Sequence, residues 1–136
     1  MRLGPVSFSR TTLAVTIRPM QIRVPLAELA LFESQKLEFE REGQRQEGFI
    51  LRLADGLVAY HNRCPHWGVD LDMGEGRFYS QLTQRIFCSS HGALFVPNTG
   101  YCDAGPCAGE SLERFPLEID GDDAILTIAD LDPDPR

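Results

Sequence analysis

The sequence lacks any long apolar run. No stretch approaches the roughly 18 consecutive apolar residues that a membrane-spanning helix requires. The apolar stretch at residues 13–17 is too short for the central region of a secretory signal. Arg10 has no second arginine beside it, so a twin-arginine export signal is also missing. These absences predict a cytoplasmic protein that has no membrane partner.

Basic residues are fewer than acidic ones. The chain has 13 Lys and Arg against 20 Asp and Glu, which gives a net charge of −7. An acidic surface repels phosphate, so we expect no nucleic-acid partner. The charge suits docking on a basic patch of a partner protein, or it serves only solubility, and both interpretations stay open. In a reducing compartment, the four Cys favour metal binding over a disulfide framework.

Internal repeats and low-complexity tracts are absent as well. A length of 136 residues with 43% hydrophobic content predicts one globular domain. Twelve Gly and nine Pro divide the chain into short pieces, which favours strands over long helices. We therefore predict an antiparallel all-β domain at residues 21–129, with a lead-in at 1–20 and a tail at 130–136.

The strand pattern follows from alternation and turn residues. One short helix is expected at residues 25–30, with Pro25 in its first turn. Hairpins are expected at Asp55-Gly56 and around Gly121, and a turn at residues 97–100. Segment 73–81 is either a mobile excursion that affects partner choice or a tolerated insertion. Strands are predicted at residues 11–18, 21–24, 36–41, 46–53, 57–60, 82–87, 93–96, 112–119 and 124–128.

Two short motifs concentrate the Cys and His residues. Cys64-Pro65-His66 and Cys88-Ser89-Ser90-His91 each follow a predicted strand, so each loop supplies one thiolate and one imidazole. This set suits a two-iron cluster whose two irons have unlike ligands. Zinc sites usually pair two Cys on one turn and two His on another, whereas here the types are interleaved. Zinc and four unligated residues remain the alternatives.

These motifs resemble those of the Rieske iron–sulfur domain family. The similarity rests on Cys64-Pro65-His66-Trp67-Gly68 and on Cys88-Ser89-Ser90-His91-Gly92-Ala93, with Gly105-Pro106 similar to the family's third, proline-containing loop. It covers about residues 21–129. The resemblance implies one [2Fe–2S] cluster per chain, with Cys64 and Cys88 on the buried iron and His66 and His91 on the outer iron.

The resemblance also distinguishes branches of the family. Respiratory Rieske proteins join their first two loops by a disulfide, and the corresponding positions here look like Val69 and Ser90. Those proteins place Ser and Tyr hydroxyls near the cluster, where this chain has Ala93 and Phe95. Fewer donors to the cluster sulfurs imply a low reduction potential. The sequence is therefore similar to the soluble ferredoxin branch.

The function implied is electron transfer between a reductase and an acceptor protein, with no catalysis by this chain alone. A Rieske oxygenase component is one alternative. Such a component needs two His and a carboxylate for a mononuclear iron site, and His61 is the chain's one further His. The others are a small subunit of a larger reductase, such as a nitrite reductase, and a redox sensor that switches through Cys102 and Cys107. Packing in the interior is the simpler role for those two Cys, and packing also suits Trp67.

Overall fold

The computed structural model describes residues 20–65 and 68–129. Within these ranges the chain forms strands that pair antiparallel and one short 3₁₀ helix, so the predicted all-β class is confirmed. No helix in these ranges is long and apolar enough to cross a bilayer. Several predicted features lie outside the described residues: His66, Trp67, the expected strand at 11–18, nearly all of the lead-in, and the tail.

The strands form three sheets, which we name by position. The strand bounds are β1 Met20–Pro25, β2 Ser34–Arg41, β3 Gln44–Leu53, β4 Gly56–His61, β5 Tyr79–Ser80, β6 Arg85–Phe87, β7 Leu94–Phe95, β8 Cys102–Ala104, β9 Leu117–Asp120 and β10 Asp123–Ile128, and the 3₁₀ helix is Leu26–Glu28. The base sheet has the order β1-β10-β9, the central sheet β2-β3-β4 and the loop sheet β5-β6-β7-β8.

The central sheet is buried on both faces, because alternate residues of its strands point into two different cores. Phe49 and Leu51 of β3 belong to the core shared with the loop sheet, whereas Ile50 between them belongs to the core shared with the base sheet. Phe49 stacks on Phe78 with ring centroids 4.0 Å apart. Burial of large apolar side chains contributes about 1.5–3 kcal/mol each. The central sheet thus provides a rigid support for the loops that follow its last strand.

Several predicted elements differ from the observed ones. The strand expected at 82–87 begins only at Arg85, because residues 81–84 form a turn in which Leu82 is exposed. The first hairpin turns through Ala54 and Asp55, and Gly56 follows in the strand with a φ of 146°. The strand expected at 112–119 begins only at Leu117.

Two short strands of the loop sheet form through pairing with neighbouring strands and not through a local sequence pattern. Strands β5 and β8 were not predicted from the sequence. Segment 73–81 includes β5, and Phe78 beside it is almost completely buried. The segment therefore contributes to the core. The turn expected at residues 97–100 is present.

Candidate metal centre

Two loops of equal length carry the Cys and His motifs. In the first loop (residues 64–69), Gly68 N–H donates to the Cys64 carbonyl at 2.8 Å and Cys64 N–H donates to the Val69 carbonyl at 2.7 Å. In the second loop (residues 88–93), Gly92 N–H donates to the Cys88 carbonyl and Cys88 N–H donates to the Ala93 carbonyl, both at 2.9 Å. Each loop therefore begins with a cysteine and closes by the same pair of backbone hydrogen bonds.

Glycine is required at the fourth residue after each cysteine. Gly68 has a φ of 71° and Gly92 a φ of 75°, in the left-handed region that other residues enter at a cost of about 1–2 kcal/mol. This conformation turns the chain back so that the loop can close. The shared glycine position is a sequence signal for the loop that is independent of the metal-ligand residue types.

The described Cys and His residues differ sharply in exposure. Cys64 and Cys88 are completely buried in the core between the central and loop sheets, whereas His91 lies at an exposed position of the second loop. The position of His66, inside the first loop, lies outside the described residues. Two buried sulfur donors and an imidazole at the surface fit a metal centre with a sulfur side within the protein and a nitrogen side toward solvent.

A third loop (residues 105–109) packs against the second. Gly105 has a φ of 93°, and a Cβ atom there would lie 2.7 Å from Cα of Ala93. That contact is between two backbones, so neither can move aside cheaply. Two backbone hydrogen bonds close the base of this loop. Gly109 N–H donates to the Cys102 carbonyl at 3.0 Å, and Cys102 N–H donates to the Glu110 carbonyl at 2.7 Å.

The two remaining cysteines contact different partners. Cys107, on the third loop, places its Sγ 2.9 Å from Sγ of Cys64. Cys102 is equally buried, but its thiol donates to the Ala104 carbonyl at 3.1 Å. None of the four cysteines forms a disulfide. The burial of Cys102 and Cys107 agrees with the interior packing expected from the sequence, which gave no indication of the contact between Cys107 and Cys64.

A buried polar network holds the two ends of the first loop. The side-chain oxygen of Asn62 accepts from the Leu71 N–H at 2.8 Å, and its amide nitrogen donates to Asp72 and Glu47, both at 3.0 Å. Lys36 reaches the same carboxylate of Asp72 at 2.7 Å. Beyond this network, Ser89 N–H donates to the Leu71 carbonyl at 2.8 Å, which ties the second loop to the first. Residue types alone gave no signal for these pairings.

Acidic residues in and beside this network resemble a cation site but already have a cation. Among the described residues, Glu47, Asp70 and Asp72 alone bring three Cys, His, Asp or Glu ligand atoms within 4.8 Å of one another. Lys36 Nζ lies 2.7 Å from Asp72 and 3.7 Å from Glu47. Burial raises the pKa of Asp72, but hydrogen bonds, chiefly those from Lys36 and Asn62, outweigh it and lower that pKa to about 2. The ammonium group therefore supplies the positive charge.

The four positions that separate the branches of the resembled family lie around the loops. Ala93 and Phe95 are completely buried in the same core as Cys64 and Cys88. Val69 is partly buried against this core, and Ser90 is exposed. None of the four brings a hydroxyl or thiol into the core, because the one hydroxyl among them belongs to exposed Ser90.

His61 lies apart from the loops, between the central and base sheets. Its ring packs near Phe39 and Phe115, with centroids 6.1 and 6.0 Å away, and its Nδ1 lies 3.6 Å from Glu113. Burial lowers its pKa, Glu113 opposes this shift, and Arg41 adds to it. His61 is therefore a packed, neutral residue at pH 7, consistent with its omission from the predicted ligand set.

Comparison with known proteins gives a family and a set of similar structures. The family model described as the Rieske [2Fe-2S] domain matches residues 21–116. No curated protein sequence matches the chain significantly. The ferredoxin of carbazole 1,9a-dioxygenase from Nocardioides aromaticivorans IC177 is 25% identical, with a TM-score of 0.59, and the match covers 79% of this chain and 95% of that ferredoxin.

Two further structures share the fold at lower identity. A chain from a complex of reduced oxygenase and oxidized ferredoxin in carbazole 1,9a-dioxygenase is 21% identical, with a TM-score of 0.61, and covers 82% of this chain and 97% of its own length. The terminal oxygenase of carbazole 1,9a-dioxygenase from Novosphingobium sp. KA1 is 22% identical, with a TM-score of 0.63. That match covers 87% of this chain but 32% of the oxygenase.

Proposed function

Because the chain belongs to the Rieske [2Fe–2S] domain family, we propose that it binds one [2Fe–2S] cluster on Cys64, Cys88, His66 and His91. In this assignment the two thiolates hold the buried iron and the two imidazoles hold the outer iron. When bound, the cluster supplies a one-electron oxidation and reduction. The observation that carries the proposal is the pair of loops with identical hydrogen bonds, each beginning with a completely buried cysteine.

The spacing of the described ligand atoms favours a cluster over a single zinc ion. A tetrahedral zinc site with Zn–S and Zn–N bonds of about 2.0–2.3 Å needs ligand atoms within about 4 Å of one another. In the described part of the chain, Cys64, Cys88 and His91 do not form a group of three within 4.8 Å. A two-iron cluster, which separates its thiolate and imidazole ends, does not require these three ligand atoms to lie so close together.

The role that fits this site is a ferredoxin, which carries one electron from a reductase to an acceptor. Support comes from the likeness to the ferredoxin of carbazole 1,9a-dioxygenase, nearly all of which is matched. We propose an oxygenase component as the acceptor class on the same ground. Four cysteines without disulfides are typical of the reducing cytoplasm, which we propose as its location.

Different residues shield the two cysteines of the site and expose its histidine side. The core between the central and loop sheets keeps Cys64 and Cys88 from water. His91 lies at an exposed position, where it brings the nitrogen side of the centre close to a docked partner. Electron transfer makes or breaks no bond in a substrate, so it requires no catalytic side chain among the described residues.

The test is metal and sulfide analysis followed by electron transfer. The purified protein should contain two irons and two sulfides per chain, and its visible absorption should bleach with dithionite. Cys88→Ser should lose the cluster, whereas Cys102→Ser, a matched change at a buried cysteine outside the ligand set, should keep it. Stoichiometric zinc without sulfide in protein from iron-replete cells would contradict the cluster.

A second measurement tests the carrier role. The dithionite-reduced protein, freed of reductant, should be reoxidised when mixed with an oxidised Rieske-type oxygenase in the absence of any other protein. A loaded protein that exchanges electrons only while bound to a copurifying large reductase subunit would make it a subunit rather than a carrier.

A further inference from the structure

We propose that Cys107 is a positioning residue of the iron–sulfur centre, whose thiol donates a hydrogen bond to the Sγ of Cys64. The inference deepens the proposed function and rests on it, because it assumes that Cys64 binds iron. Neither the ligand pattern nor the family match assigns a role to Cys107, which lies outside the four-residue set.

The contact lies where water does not reach. Sγ of Cys107 is 2.9 Å from Sγ of Cys64, and both side chains are completely buried. Water therefore does not compete for this contact in the folded state. A polar atom buried so completely normally has a hydrogen-bond partner, and Cys64 is one within reach.

The direction of the hydrogen bond follows from the chemistry of a metal ligand. A cysteine that binds iron does so as a thiolate and has lost its proton. A thiolate only accepts hydrogen bonds, whereas a neutral thiol can donate one. With Cys64 on the iron, Cys107 is therefore the donor of the pair.

The third loop holds Cys107 in this place. Gly105 packs so closely on the second loop that a Cβ atom would lie 2.7 Å from Cα of Ala93. On the other side, Glu110 N–H donates to the Cys107 carbonyl at 2.9 Å. The backbone on both sides of Cys107 is thus fixed, and the donor does not depend on a mobile surface side chain.

The consequence concerns the reduction potential. Hydrogen bonds to the sulfurs of an iron–sulfur cluster stabilise its reduced, more negative form and raise its potential. A bond to a charged acceptor is roughly twice as strong as one between neutral groups. Cys107 therefore supplies, from the third loop, one donor in a centre where Ala93 and Phe95 supply none from their side chains.

The first measurement compares reduction potentials by protein-film voltammetry at one fixed pH. Cys107→Ala removes the donor, so its potential should fall below that of the wild type. Cys107→Ser keeps a donor and should recover part of the fall. Cys102→Ala is the matched control, because it removes an equally buried thiol that bonds to a backbone carbonyl, and its potential should not change. Equal potentials in wild type and Cys107→Ala would overturn the proposal.

The second measurement uses infrared absorption of the S–H stretch in the loaded wild-type protein. Two cysteines should give S–H bands, and the band of Cys107 should lie at lower frequency because its acceptor is a thiolate. That band should vanish in Cys107→Ser and persist in Cys102→Ala. This measurement decides the matter even if Cys107→Ala fails to hold a cluster: a loaded wild type without the lower band would overturn the proposal.

Iron content and the response to changes at Cys107 distinguish a failure of the cluster assignment from a failure of the Cys107 role. If the wild-type protein contains no iron and sulfide, the proposed function is wrong and the inference falls with it. If the wild type is loaded and redox-active, but its potential and S–H bands do not respond to changes at Cys107, the function stands and only the role of Cys107 is wrong.

Discussion

The ammonium nitrogen of Lys36 lies 2.7 Å from a carboxylate oxygen of Asp72, whose side chain is completely buried. The same carboxylate accepts from the Asn62 amide at 3.0 Å and from the Gly76 N–H at 2.8 Å. These hydrogen bonds to the buried charge come from segments that flank the first loop and from the neighbouring strand β2. The pairing therefore supports the geometry of the first loop without belonging to it.

Neutralising this carboxylate should destabilise the protein. Asp72→Asn should cost about 1–3 kcal/mol, because it leaves the partly buried Lys36 ammonium without its charged partner at 2.7 Å. Thermal unfolding of the loaded protein, followed by circular dichroism, should show a lower midpoint. Asp70→Asn is the matched control: Asp70 is exposed, and partial desolvation together with the charges of Glu47 and Asp72 raises its pKa. An equal loss in both variants would contradict the role given to Asp72.

The contribution of Asp72 should depend on pH with a defined sign. Its pKa is lowered from 3.8 to about 2 in the folded protein. A lowered pKa stabilises the fold above the unfolded value, and this stabilisation is lost as the pH falls toward the folded value. The stability difference between wild type and Asp72→Asn should therefore shrink from pH 4 to about pH 2, as measured by urea unfolding of the cluster-free proteins. A difference that grows over this interval would show that the sign is wrong.

The contact between the second and third loops should be sensitive to a single methyl group. Gly105→Ala places a Cβ atom 2.7 Å from Cα of Ala93, in a residue whose φ is already 93°. Gly109→Ala is a close control, because its φ is 96° but nothing lies within 4 Å of the added atom. Both variants carry a backbone cost of about 1–2 kcal/mol, and only Gly105→Ala adds the clash. The half-life of the cluster absorbance at elevated temperature should therefore be shorter in Gly105→Ala; equal half-lives would refute the close approach.

Replacing a proposed imidazole ligand should lower the reduction potential. His91→Cys, and likewise His66→Cys, adds a negative thiolate to the site, so that reduction becomes harder if the cluster survives. His61→Gln alters the remaining histidine, which packs near Phe39 and Phe115, and should leave the potential unchanged. Voltammetry over a range of pH provides the test. A potential that is unchanged or raised in His91→Cys would count against the ligand assignment.

The wild-type potential should lie toward the low end of the Rieske range, roughly −150 mV rather than near +300 mV. Ala93 and Phe95 are completely buried and bring no hydroxyl to the centre, although the donor proposed at Cys107 opposes this trend. Ala93→Ser and Phe95→Tyr should each raise the potential. Ala108→Ser makes the first of these changes at an exposed position and should have no effect. A wild-type value above about +200 mV would refute this reasoning.

The sequence predicted those parts of the molecule that depend on short spacing. The Cys64 and Cys88 motifs were placed correctly in loops after strands, because each motif and its closing glycine lie close together in the chain. The alternation along β2 and the long apolar strand β3 were also sufficient to predict these strands. The ligand roles of all four residues, Cys64, His66, Cys88 and His91, stay predictions, and His66 also lies outside the described ranges.

What the sequence could not predict depends on partners that are distant in the chain. Cys107 and Cys64 are 43 residues apart, and Asp72 and Lys36 are 36 apart, so no local pattern connects them. Strand β8 has three residues and contains Asp103, and it exists because β7 pairs with it. Leu82 was assigned to a strand because it is apolar, yet it lies in a turn with 94% of its surface exposed.

The pairing of β1 with β10 has a consequence for biosynthesis. Met20 lies opposite Ile128 and Pro25 opposite Asp123, so the base sheet joins the first and last strands of the described chain. A ribosome makes residues 64–107, with all four cysteines, before it makes β10. The base sheet therefore closes only after β10 has left the exit tunnel, by which time the segment proposed to receive iron and sulfide is already outside.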